Sequence, residues 1–103
     1  MANSGRGEGV GLMAAMKIYR VDLVDESWFY VFATSENDAV HWVSRDYPVS
    51  SVAEFRREYD PIVRVIPDDE TIDDGEDEKT AAEWLASYPG KHPGCWLSNT
   101  YED

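Results

Sequence analysis

Apolar and polar side chains alternate from Lys17 to Val24. Tyr19, Val21 and Leu23 fall on one face, and Ile18, Arg20, Asp22 and Val24 on the other. A period of two with one apolar face predicts a half-buried strand. A short polar turn, Asp25-Glu26-Ser27, follows. It lacks Asn-Gly or Asp-Gly, so the turn type stays open. Trp28–Ala33 is apolar on both faces, with Trp28, Tyr30 and Phe32 on one and Phe29, Val31 and Ala33 on the other. That pattern predicts an interior strand, or one whose aromatic face is used for contacts. The period then lengthens. Ala39, Val40, Val43 and Tyr47 recur at helical spacing, Trp42 flanks them, and Asp38, His41 and Arg45 lie outside, so a helix is expected over Glu36–Tyr47. Ser35 and Asp38 have capping-box spacing, and Pro48 stops the helix.

The remaining pattern is shorter-ranged. Ser51 and Glu54 cap a helix over Val52–Tyr59, whose inner side is Val52, Phe55 and Tyr59. Ile62–Ile66 is rich in β-branched residues and lies between Pro61 and Pro67, which suits a strand at the sheet edge. From Asp68 to Glu78 the only apolar residue is Ile72, and a loop or disordered segment is expected. Thr80 and Glu83 give a third capping-box spacing, and Ala81, Trp84, Leu85 and Tyr88 form a core stripe ended by Pro89-Gly90. Lys91–Gly94 reads as a turn, Cys95–Ser98 as a short strand and Asn99–Asp103 as a tail. Residues 1–15 are rich in Gly, Ala and Ser without period, and read as a disordered leader before a single domain over 16–103. The fold expected is α+β: a small antiparallel sheet of three to four strands with helices packed mainly on one face, in the order β-β-α-α-β-α-β.

Composition changes the picture mainly through charge. The 103 residues carry −12. Residues 68–78 hold −8 of it (Asp68, Asp69, Glu70, Asp73, Asp74, Glu76, Asp77 and Glu78), and the rest of the chain is only mildly acidic. Direct binding of nucleic acid is disfavoured, because phosphate contacts need a basic face. A basic protein surface is favoured. The competing reading is that the run only keeps the chain soluble. No stretch suits a membrane span or secretory signal, and Cys95 is the single cysteine, so a reducing, cytoplasmic setting is expected.

Candidate chemistry is sparse. Taking Gly75 as the glycine of a calcium loop puts Glu70, Ile72 and Asp74 at the first, third and fifth positions and Ala81 at the twelfth. Ile72 and Ala81 have no ligating side chain. His41, His92 and Cys95 are too few for structural zinc, and the plainer readings are a surface His41, a loop His92 and a small buried Cys95. Cys95 near His92 has the make-up of a thiol nucleophile and base, which only spatial geometry can establish. No phosphate loop, nucleophile elbow or HExxH motif is present. No cofactor, catalytic residue or metal site is therefore expected. The aromatic set Trp28, Tyr30, Phe32, Trp42, Trp84 and Trp96 is too large for so small a domain to hide completely, and interfaces are enriched in such side chains.

Strand, turn and strand leading into Ala33–Ala39 at the start of a helix is a pattern common in small single-domain proteins, and Lys79–Trp84 followed by a Gly turn and Cys95–Ser98 resembles a recurring feature of small acidic proteins of bacteriophages and their hosts. The resemblance implies a small cytoplasmic accessory protein. Within that class, acidic proteins that imitate DNA charge to block nucleases are one kind. The function expected is a non-enzymatic interaction module, in its specific form a phage-type acidic inhibitor or DNA-charge mimic, bound to a basic protein surface such as that of a nucleic-acid-binding protein. Its site is Asp68, Asp69, Glu70, Asp73, Asp74, Glu76, Asp77 and Glu78, with Trp28, Tyr30 and Trp42 as anchors. The alternatives are a small-ligand or metal-binding accessory domain, and an enzyme using Cys95.

Overall fold

The computed structural model describes residues 15–87 and 93–99. Its elements are β1 (Lys17–Asp22), β2 (Trp28–Ala33), α1 (Glu36–Ser44), α2 (Val52–Tyr59), β3 (Ile62–Val65), β4 (Thr71–Asp73), β5 (Glu78–Thr80), α3 (Ala81–Ser87) and β6 (Gly94–Ser98). The fold is α+β. Four antiparallel strands stand in the order β3-β1-β2-β6, and β4 and β5 pair separately as a small hairpin. β2 is interior and β3 is an edge, as their patterns predict.

Alternation along β1 and β2 feeds two cores, one on each face of the sheet. Tyr19, Val21, Leu23, Phe29, Val31 and Ala33 pack against Ala39, Val40 and Val43 of α1 and Phe55 of α2. Ile18 and Phe32 face the other way and pack with Ile66, Ile72 and Ala81, flanked by Trp84, Leu85 and Trp96. Two helices therefore share one face, while α3 and the hairpin cover part of the other. A two-faced apolar strand such as β2 requires this, since either face left bare would expose aromatic surface to water.

The helix starts follow the capping spacings. Ser35 Oγ accepts from the Asp38 N–H at 3.0 Å and Ser51 Oγ from the Glu54 N–H at 3.1 Å. In these two, the carboxylate reaches one residue further back than in a reciprocal box. Asp38 accepts from the Thr34 N–H, and Glu54 from the Ser50 N–H. Thr80 and Glu83 form the reciprocal pair, with N–H···O distances of 3.2 and 2.9 Å.

The structure differs from the sequence expectations at several ends. β1 stops at Asp22 because Leu23 already closes the turn: its N–H donates to the Ser27 carbonyl, and Glu26 N–H returns to the Leu23 carbonyl. Glu26 takes a left-handed φ of 72°. The loop is thus a three-residue turn with a left-handed third position. α1 ends at Ser44, and 45–47 continue as tighter turns, Asp46 N–H to Val43 and Tyr47 N–H to Ser44. Pro48 makes the helical region unfavourable for Tyr47, so the chain unwinds early. The largest difference is at 68–78, which folds into the β4–β5 hairpin and is not a loop throughout. Apart from Ala15, the leader lies outside the described residues, as do Tyr88, His92 and the last four residues of the tail.

Candidate functional site

The acidic segment is anchored at both ends. Ile72 is buried against Ile18 and Phe32. Trp84 Nε1 donates to the Ile72 carbonyl at 2.8 Å, and the Ala81 and Ala82 N–H groups return to the Glu70 and Asp68 carbonyls. At the tip, Gly75 adopts φ +100°, a conformation that side chains disfavour. Asp73 Oδ1 accepts from Gly75 N–H, and Asp74 Oδ1 accepts from both Glu76 and Asp77 N–H. Those backbone bonds hold the Asp74 carboxyl below its usual range. Asp74-Gly75 between Thr71-Ile72 and Lys79-Thr80 was the signal for this hairpin. Net charge hid it, because a run so acidic reads first as solvated chain.

The eight carboxylates therefore do three different things. Asp73 and Asp74 build the turn. Glu70 receives the Arg64 guanidinium through both oxygens, at 3.0 and 3.3 Å, and its pKa is lowered by that bond. Asp68, Asp69, Glu76, Asp77 and Glu78 make no side-chain hydrogen bond or ion pair among the described residues, and all five are exposed.

On the same sheet face, a ridge of rings leads from the β1–β2 turn to the hairpin. Trp28 meets Tyr30 edge-on at 5.6 Å, Tyr30 meets Trp96 at 6.2 Å, and Trp96 meets Trp84 at 5.0 Å. Trp28 and Tyr30 are half-buried. Arg20 lies over both, 5.0 Å from the Trp28 centroid and 5.6 Å from that of Tyr30. Asp22 holds it there by paired bonds of 3.0 to 3.2 Å, which raise the guanidinium pKa. Arg20 and Arg64 stand opposite each other in the ladder. They are the two site residues that charge counting passed over, since an arginine on a strand facing away from the first core carries no motif.

Trp42 is not part of this ridge. It sits on α1, across the sheet, with Nε1 donating to Asp38 and Arg45 over its ring at 5.0 Å. Of the aromatic anchors expected, the structure brings Trp28 and Tyr30 together and leaves Trp42 on the opposite layer.

Cys95, expected to be buried, is exposed on β6. Its thiol is nonetheless turned inward: burial pushes its pKa up to about 12, and the Asp46 carboxylate adds to the rise. β6 is the outer strand of the sheet, so the residue shows one side to solvent. A thiol so raised is protonated at neutral pH and is a poor nucleophile. His92 lies outside the described residues, and His41 is exposed on α1. Among the described residues no cluster of three or more His, Cys, Asp or Glu could hold a metal ion, and no helix is long and apolar enough to cross a membrane. Comparison with protein-family models, with curated proteins and with solved structures finds no match.

Proposed function

We propose that the protein is a non-enzymatic interaction module that binds a basic protein surface through its second sheet face. The observation that carries this reading is the ring ridge Trp28–Tyr30–Trp96–Trp84 running into an anchored hairpin whose outer carboxylates are unpaired among the described residues. Exposed carboxylates on the turns that lead into and cap a hydrogen-bonded hairpin keep a fixed spacing, which a disordered tail would not. Fixed negative charge steers a basic partner, and half-buried aromatics supply contact area once it has arrived. A DNA-charge mimic is the specific form of this reading. Its partner would be a nucleic-acid-binding protein whose basic face the hairpin occupies.

The experiment is affinity capture from lysate with the wild-type chain and with Asp68→Asn, Asp69→Asn, Glu76→Gln, Asp77→Asn and Glu78→Gln combined. A basic protein retained by wild type, lost by the variant and released by excess duplex DNA supports the mimic. Retention that DNA does not disturb leaves a basic partner without mimicry. Equal capture by both chains contradicts the reading.

A further inference from the structure

β3 is an outer strand of the four-stranded sheet. The bond from Ile66 N–H to the Ile18 carbonyl, with the register Arg20↔Arg64 and Asp22↔Ile62, fixes the alternation along it. Ile62, Arg64 and Ile66 turn their backbone groups to β1. Val63 and Val65 turn theirs outward. No described residue bonds the outward groups. The three large apolar side chains most exposed among the described residues gather here: Ile62 (67%), Val65 (43%) and Val24 (62%), the last tied by its N–H to the Tyr59 carbonyl just before the strand. Edge strands in monomeric proteins are usually blunted by lysine, bulges or covering loops. This one carries a single charge, Arg64, and that charge is engaged with Glu70.

Resting on the reading above, we infer that β3 takes up an extended segment of the basic partner as an added strand. That segment has alternating apolar residues at its centre and Lys or Arg at both ends. The flanks of β3 dictate the ends: Asp60 precedes it, and Asp68 and Asp69 follow. The same flanks disfavour a second copy of this chain in the register centred on Arg64. Antiparallel self-pairing through Val63 and Val65 would set Arg64 against Arg64 and Asp60 against Asp68 of the other copy. Like charges directly opposite destabilise a strand pair. Pro61 and Pro67 bound the site, so the added strand is short.

The test uses a labelled peptide, Lys-Lys-Thr-Val-Thr-Val-Thr-Lys-Lys, titrated into the full chain by fluorescence anisotropy. A second peptide is N-methylated on alternate central residues, which keeps charge and side chains and removes donors. Saturable binding that N-methylation weakens by about tenfold or more supports strand addition, since more than one hydrogen bond is lost. Val65→Pro removes an outward donor at an edge that tolerates proline, and a folded variant, confirmed by circular dichroism, should show a similar loss. Equal binding of the two peptides, or no binding of either, overturns the inference. A concentration-dependent dimer in sedimentation that Val65→Pro abolishes also overturns it, in favour of a second copy. The reading of the hairpin is tested separately: Glu76→Gln, Asp77→Asn and Glu78→Gln combined leave β3 and its flanking Asp60, Asp68 and Asp69 unchanged, so failure at the edge and failure at the hairpin are distinguishable.

Discussion

Glu26 occupies a left-handed position at which glycine is at ease, and its carbonyl is held by Asn99 Nδ2 whatever the side chain. Glu26→Gly should therefore raise stability by about 0.5 kcal/mol, the relief of strain exceeding the added chain entropy. A lower midpoint in urea would show that the Glu26 side chain has a role of its own. Trp84 joins helix to hairpin through its hydrogen bond to Ile72 and the Lys79 ammonium 4.7 Å over its ring, and meets Trp96 of β6. Trp84→Phe keeps most of the packing and should cost about 1 kcal/mol, and Trp84→Ala about 2–4 kcal/mol. Wild-type stability in the alanine variant would place the ring outside the second core. Cys95, with its thiol at about 12, should react with iodoacetamide at neutral pH on the order of a hundredfold more slowly than free cysteine. Labelling at the rate of free cysteine would contradict the burial of the thiol beside Asp46.

At the scale of elements, the 3.6 and 2.0 periods were enough to find β1, β2 and the three helices, because each turns apolar side chains to a core and each helix begins at a Ser or Thr cap, while β3 shows itself by β-branched residues between two prolines. What stayed hidden had little apolar mass. Thr71-Ile72-Asp73 has one buried side chain, too few for a period, and its hairpin is held by turn chemistry at Asp73, Asp74 and Gly75. The site was legible in part for the same reason. Its aromatics and carboxylates stand out in composition, whereas Arg20 and Arg64 acquire meaning only when the ladder sets them side by side. The Arg64–Glu70 bridge ties β3 to the start of the hairpin, and it makes a pH prediction. The Glu70 pKa is lowered in the folded state, so its stabilisation is present above the ordinary glutamate value of 4.5 and is lost as pH falls through the folded value. Acid also relieves the repulsion of a chain this negative, which raises stability. The informative quantity is the difference: on acidification wild type should lose more melting temperature than Glu70→Gln. Parallel curves would mean that the bridge contributes nothing, as exposed pairs often do.

For the whole molecule, charge and shape are separable. The two cores and the three caps involve none of Asp68, Asp69, Glu76, Asp77 or Glu78 through their side chains. The combined carboxylate variant should therefore melt within a few degrees of wild type. The central claim is that these five charges act on a partner. Its most direct measurement is the association rate of the captured partner, by stopped flow, for wild type and variant at low and high salt. Association should be about tenfold slower for the variant at low salt, with the two rates converging as salt rises and screens the hairpin. Equal rates at low salt, with the fold intact, would contradict it and leave the hairpin as a device for solubility alone.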